Sequence, residues 1–183
     1  MEGKIIYQGK SKNGKNILFR YPISDDLDIL TEYINTLSVE QTYILYQGEQ
    51  LTKEQEKEYL DKQLNRITKG KTVQLLVFTN SQLIGNSQID LKDKIESHIG
   101  LLGISLSKDA RGEGIGTVLM QKLLEEAKLN LRGLKIVILS VFANNPIAKK
   151  LYEKMGFKEY GNLPNGIVHK GEFVDHIYMY KEV

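Results

Sequence analysis

The sequence predicts one α/β domain with a mixed sheet, in which parallel and antiparallel strands lie side by side. Three observations carry that reading. The chain has 183 residues, and a single domain holds about 100 to 200. Residues 99–160 follow a strand–helix–strand–helix–strand order, which implies parallel pairing because a crossover helix returns the chain to the same end of the sheet. Residues 72–90 instead read as a hairpin turning at Asn80 and Ser81. With no repeat or Pro/Gly/Ser-rich linker to divide it, residues 1–183 make one domain.

Alternating or β-branched runs at residues 4–8, 17–22, 72–79, 82–90, 99–107, 135–142, 157–160 and 173–181 are the expected strands. The first helix is expected to open at Ser24, as N-cap, with Asp25 and Asp26 favouring its positive end, and to run to about Leu37. A second, from about Thr52 to Thr68, sets Glu and Lys around a thin apolar stripe of Tyr59, Leu60, Leu64 and Ile67. It reads as a solvated helix with one buried edge. After Gly114, the residues Ile115, Val118, Leu119, Leu123, Ala127 and Leu131 recur at the spacing of one helix face, closed by Arg132 and Gly133. The last helix begins near Asn145 with Pro146 at its first position, presents Ala148, Leu151, Tyr152 and Met155, and ends at Gly156.

Composition narrows the chemistry. Apolar residues make up 41% and charged residues 26% of the chain, as in an ordinary soluble globular protein. Twenty-five Lys and Arg against 23 Asp and Glu leave a net charge of +2, which points to neither a nucleic-acid nor a membrane partner. The chain has no cysteine, so disulfides, cysteinyl metal sites and thiolate nucleophiles are excluded. His98, His169 and His176 are too far apart in sequence for a metal-binding helix and none accompanies a Gly-x-Ser-x-Gly turn, so no metal site is expected. No apolar run approaches the ~20 residues of a membrane span, and the first ten residues lack a signal-peptide core. A cytoplasmic location is the expectation.

The segment Arg111-Gly112-Glu113-Gly114-Ile115-Gly116 lies between a strand and an amphipathic helix. Glycines let the backbone turn sharply, so that successive N–H groups and the positive helix end converge on an anion, to which Arg111 adds a full charge. Neither a Gly-Lys-Ser/Thr phosphate loop nor the Gly-x-Gly-x-x-Gly of a dinucleotide fold is present. On the residues alone, a glycine-rich helix start without a ligand stays open.

This segment resembles the Arg/Gln-x-x-Gly-x-Gly/Ala signature of the GCN5-related N-acetyltransferases, the GNAT family. Residues 141–157, VFANNPIAKKLYEKMGF, are similar to the family's second segment with its Asn-x-x-Ala, Leu-Tyr-Glu-Lys and Gly-Phe elements. The likeness is close over residues 99–157 and looser from 72 to the end. The resemblance implies the acyl-CoA N-acyltransferase fold, with about seven strands and four helices on both faces. Residues 1–71 would form a variable acceptor-side part and residues 72–183 the cofactor-binding part.

It also implies roles. Acetyl-CoA would be the acetyl donor. The backbone of Ile104, Ser105 and Leu106 would pair with its pantetheine arm as an added strand does. Arg111 and the amides from Gly112, Glu113, Gly114, Ile115 and Gly116 to Thr117 would hold the pyrophosphate, with the Glu113 side chain turned outward from the phosphates. Asn145 would hydrogen-bond the pantetheine, with Asn144 a second candidate. Tyr152 matches the tyrosine that protonates the departing thiolate, although its place on a buried stripe equally fits core packing.

Transfer to an amine of pKa near ~10 also calls for a base. Ser140 and Leu101 occupy positions where relatives carry acids, and neither can serve. The candidates are His98 and Glu40, with ordered water as a third route. Tyr43 and Tyr46 are candidates for the acceptor wall, Lys53–Lys62 is read as a solvated face, and Asp175 and His176 as surface and edge residues of the last strand. The expected acceptor is a polyamine, another small amine or a protein amino terminus, attacked directly in a ternary complex by a monomer or homodimer. A non-catalytic coenzyme A-binding module or a phosphate-ligand sensor is the alternative.

Overall fold

The computed structural model describes all 183 residues. Strands β1 (Ile5–Lys10), β2 (Asn16–Arg20), β3 (Thr72–Thr79), β4 (Gln82–Leu91), β5 (Ile99–Leu106), β6 (Ile136–Phe142), β7 (Lys158–His169) and β8 (Glu172–Glu182) alternate with helices α1 (Leu27–Val39), α2 (Lys53–Thr68), α3 (Ile115–Asn130) and α4 (Pro146–Lys154). The strands form one sheet in the order β1-β2-β3-β4-β5-β6-β8-β7. Only β5 and β6 pair in parallel. The sheet is therefore mixed, as expected, with eight strands where about seven were anticipated.

The side-chain alternation of β3 divides the core. Val73, Leu75 and Val77 pack with Ile115, Leu119 and Leu123 of α3, whereas Leu76 and Phe78 pack on the other face with Leu30 and Leu37 of α1 and Leu60 of α2. A strand covered on both sides has few polar positions to display, which explains the run TVQLLVFT. The β3–β4 hairpin turns at Asn80 and Ser81, with φ of 47° and 67°, the two left-handed residues of a type I′ turn. No helix is long and apolar enough to cross a membrane.

Two expectations about the elements need correction. The first α-helix starts at Leu27, behind a 3-10 turn over Ser24–Asp26, and Ser24 does not cap it. Buried Asp26 organises this turn: its carboxylate takes two hydrogen bonds from Arg20, at 2.6 and 2.7 Å, and one from the Ile23 amide. Strand β7 extends to His169 rather than ending at 160, because two register shifts, at Glu159/Gly161 and Leu163/Ile167, break the alternation that reveals a strand in sequence.

Candidate active site

Strands β5 and β6 pair only at Ile99–Ile136, Gly100–Val137 and Leu101–Ile138. Beyond that point β4 follows β5 as far as Leu106, and β8 follows β6 as far as Phe142. The two middle strands therefore diverge. The β6-facing edge of β5 from Leu102 to Leu106 is left without a strand partner, although backbone N–H and C=O groups require partners. Ile104, Ser105 and Leu106 lie on this edge, where an extended, amide-bearing ligand can complete the ladder. One carbonyl is engaged: Leu106 accepts from Arg111 Nε at 3.0 Å.

The glycine loop lies just after β5. Gly112 and Gly114 have φ of 75° and 78°, a left-handed backbone that side chains other than glycine rarely adopt. The amides from Gly112 to Gly116 donate to no acceptor in the chain, and they stand at the start of the 16-residue α3. That concentration of free donors and positive helix end is an anion site. Thr117 does not contribute its amide, which donates to the Gly114 carbonyl at 3.2 Å. Nor does Glu113 point outward into solvent. Its side chain is only 7% exposed and accepts from Lys15 at 2.6 Å, which pins the loop to the β1–β2 hairpin. The Lys15 hydrogen bond holds this carboxyl below its ordinary range. Arg111 pairs with Glu40 at 3.0 Å and remains partly exposed.

The divergence of β5 and β6 opens into a cleft of about 900 Å³ between the sheet and the α1/α2 side. Tyr152 of α4 reaches it with a buried ring that packs 6.2 Å from Phe157, while its hydroxyl meets no hydrogen-bond partner in the chain. Burial pushes the phenol up to about 12, so the hydroxyl keeps its proton at neutral pH. Asn145 caps α4 by accepting from the Ala148 amide at 3.2 Å, which occupies Oδ1 and leaves the Nδ2 donors unspent. Its neighbour Asn144 is engaged by His169 at 3.1 Å.

Neither predicted base lies in the cleft. His98 is exposed before β5, at the end where β5 and β6 still pair. Glu40, at the end of α1, is occupied by Arg111 beside the glycine loop. Two other titratable groups do line the cleft. Glu56, read as part of a solvated face, is only 5% exposed and has no hydrogen bond or ion pair. Burial raises its carboxyl to about 7. His176, read as a strand-edge residue, faces the cleft from β8, with Nδ1 3.2 Å from the Tyr178 hydroxyl. Burial lowers its pKa, keeping the ring neutral near pH 7. The signal missed for Glu56 was spacing: it stands four residues before Leu60 and therefore shares the inward face. Tyr43, Tyr46 and Ser140 also line the cleft, together with Leu101.

The profile of the Acetyltransferase (GNAT) family matches residues 37–157. The chain belongs to this family. The L-amino acid N-acetyltransferase AaaT of Escherichia coli (strain K12) is 31% identical over 107 residues, covering 58% of this chain and 65% of that protein, slightly less than two thirds of its length. The crystal structure of a GNAT-family acetyltransferase from Streptococcus pneumoniae aligns with a TM-score of 0.82 at 28% identity, over 91% of this chain and 99% of that one. The same fold recurs, at 17% identity and a TM-score of 0.77, in YncA of Salmonella typhimurium, solved with its cofactor acetyl-CoA; 91% of this chain and 93% of that one are covered.

The residues of this GNAT chain suit a coenzyme A thioester on three counts. Its pyrophosphate needs clustered donors, which the amides from Gly112 to Gly116 supply. Its pantetheine amides need an unpaired strand edge, which β5 supplies beyond Leu101. A departing thiolate would need a proton donor, and the Tyr152 hydroxyl is protonated and without a partner at the cleft wall.

Proposed function

We propose that this chain transfers the acetyl group of acetyl-CoA directly to a primary amine, with both substrates bound together. The divergence of β5 from β6 carries this reading, because it joins a free strand edge and anion loop to a cleft holding an unpaired Tyr152 hydroxyl. Acetyl-CoA supplies a thioester whose carbonyl carbon receives the amine. Ile104, Ser105 and Leu106 orient the pantetheine arm through their backbone, Arg111 and the amides from Gly112 to Gly116 hold the pyrophosphate, and Asn145 Nδ2 donates to the arm. Tyr152 donates its hydroxyl proton to the sulfur as the C–S bond breaks and regains one from the nitrogen that has formed the new C–N bond. With no cysteine in the chain, no thioester to the protein itself can intervene.

The acceptor is a small amine, a polyamine or a protein amino terminus, and residues 1–71 carry much of its wall through Tyr43, Tyr46 and Glu56. Acetyl-CoA is made and consumed inside cells, which favours the cytoplasm as the place of action. Acetyl-CoA is expected to raise the melting temperature, and Tyr152→Phe to lower kcat on an amine acceptor about 100-fold with little change in acetyl-CoA affinity. Acetyl-CoA binding without turnover on any amine, together with an indifferent Tyr152→Phe, would instead identify a non-catalytic coenzyme A-binding module.

A further inference from the structure

The walls of the cleft contain two carboxylates, Glu56 and Asp90, one histidine, and no Lys or Arg. Asp90 is already neutralised in part, since its Oδ1 accepts from Thr72 and lies 3.4 Å from Arg66 Nε. Glu56 has no such partner. The residue is only 5% exposed, and its carboxylate has no hydrogen bond and no ion pair within the chain. An ionised carboxylate held this way has given up part of its hydration with no donor from the protein in return. One further acceptor belongs to a cleft-lining residue: Gln47 keeps a buried carbonyl oxygen without a donor.

We infer that Glu56 receives the ammonium group of the acceptor and takes its proton, and that the acceptor is an aliphatic amine lacking a carboxylate, such as an alkyl diamine. This rests on the transferase reading above. A cationic nitrogen supplies the partner that Glu56 lacks. The apolar and tyrosine-bearing wall formed by Leu30, Tyr33, Ile34, Tyr43 and Ile44 suits methylene groups. An acceptor carboxylate would meet Glu56 and Asp90 with no Lys or Arg lining the cleft to compensate.

The titratable groups that share the cleft with Glu56 favour a base there. Tyr59 of α2 is itself pushed up, by burial first and then by the charges of Asp90 and Glu56, so it stays protonated. Tyr33 of α1 is likewise held neutral by burial. His176 of β8 is neutral near pH 7. At its raised value of about 7, Glu56 is a far better match to an amine than an ordinary carboxylate of about 4.5. The balance is complete: the ammonium gives one proton to Glu56, the neutral nitrogen forms the C–N bond, and its second proton replaces the one that Tyr152 delivers to sulfur. Glu56 then releases its proton to solvent.

The test is calorimetry on the full chain saturated with coenzyme A, titrated with 1,5-diaminopentane and with lysine, which differ only by the carboxylate. At least tenfold tighter binding of the diamine is expected, with its affinity rising between pH 6 and pH 8 as Glu56 ionises. Glu56→Gln should weaken the diamine at least tenfold, leave coenzyme A affinity unchanged, and remove the limb near pH 7 from kcat/KM; Glu56→Asp should restore part of both. Equal or tighter binding of lysine overturns the inference without needing any variant to fold, and so does wild-type diamine binding by folded Glu56→Gln. Failure of the wild-type chain to bind coenzyme A would sink the transferase reading instead, a result read in a separate titration.

Discussion

Tyr152 meets two demands with one side chain. Its ring is core, packed near Phe157, while its hydroxyl opens onto the cleft without a partner. Core packing and the proposed chemical role, which compete when only the helical stripe is read, fall to different atoms of the same residue. Glu113 teaches a related lesson. A carboxylate next to an anion loop must turn away from it, yet the direction it takes is inward to Lys15, where it anchors the loop. Gly114 is the residue whose replacement tests the loop most directly. Its φ of 78° disfavours any side chain, and a Cβ would meet the Lys12 side chain at 3.2 Å. Gly114→Glu is expected to weaken acetyl-CoA binding at least tenfold in calorimetry, through strain and through a charge set among the phosphate donors. An unchanged affinity would remove the loop from the cofactor site.

At the scale of elements, α4 offers a clean separation of stability from binding. Asn145 Oδ1 caps the helix, whereas Nδ2 is the atom left for a ligand. Asn145→Asp keeps an acceptor for the Ala148 amide and places a negative charge at a helix start, so the melting temperature should hold. Acetyl-CoA affinity should nevertheless fall by about tenfold, as one donor is lost and a like charge approaches the anionic ligand. A fall in both quantities would mean that the residue serves only the helix. Helix α2 shows the opposite balance of legibility. Its start near Thr52 and its Leu60, Leu64 and Ile67 edge were readable from sequence, and Thr52 caps it in the structure. The burial of Glu56 and Gln63 was missed although both keep the spacing of that edge, because polar residues within a Glu- and Lys-rich run read as solvated unless a cleft is known to lie beneath them.

Across the whole molecule, a net charge of +2 conceals a division. Arg111 and the free amides make one end of the groove attractive to anions, and Glu56 makes the cleft attractive to cations. The second end leaves a signature in stability. The folded state raises the Glu56 pKa from 4.5 to about 7, so between these values the fold binds more proton than the unfolded chain does. Stability from this group is therefore full below pH 4.5, declines through that window, and levels off above about 7. Glu56→Gln removes the dependence. The melting temperature of the variant relative to the original chain should rise from pH 4.5 to 7.5 and then stay constant. A difference that does not vary with pH would mean that Glu56 is solvated.

By itself the sequence determined the kind of fold and the family, and it located the glycine turn and placed Tyr152 on its helix, since these rest on local spacing: glycines where the backbone turns left-handed, Pro146 at a helix start, and apolar residues at strand or helix period. Only the tertiary structure decided which side chains meet in the cleft. β5 parts from β6 after Leu101, and the cleft opens there. Glu40 is drawn to Arg111, His98 is left at the closed end, and Glu56 and His176 come from segments 120 residues apart in sequence to face one space. No periodicity encodes such a meeting, because it is a property of how the layers stack and not of any one element.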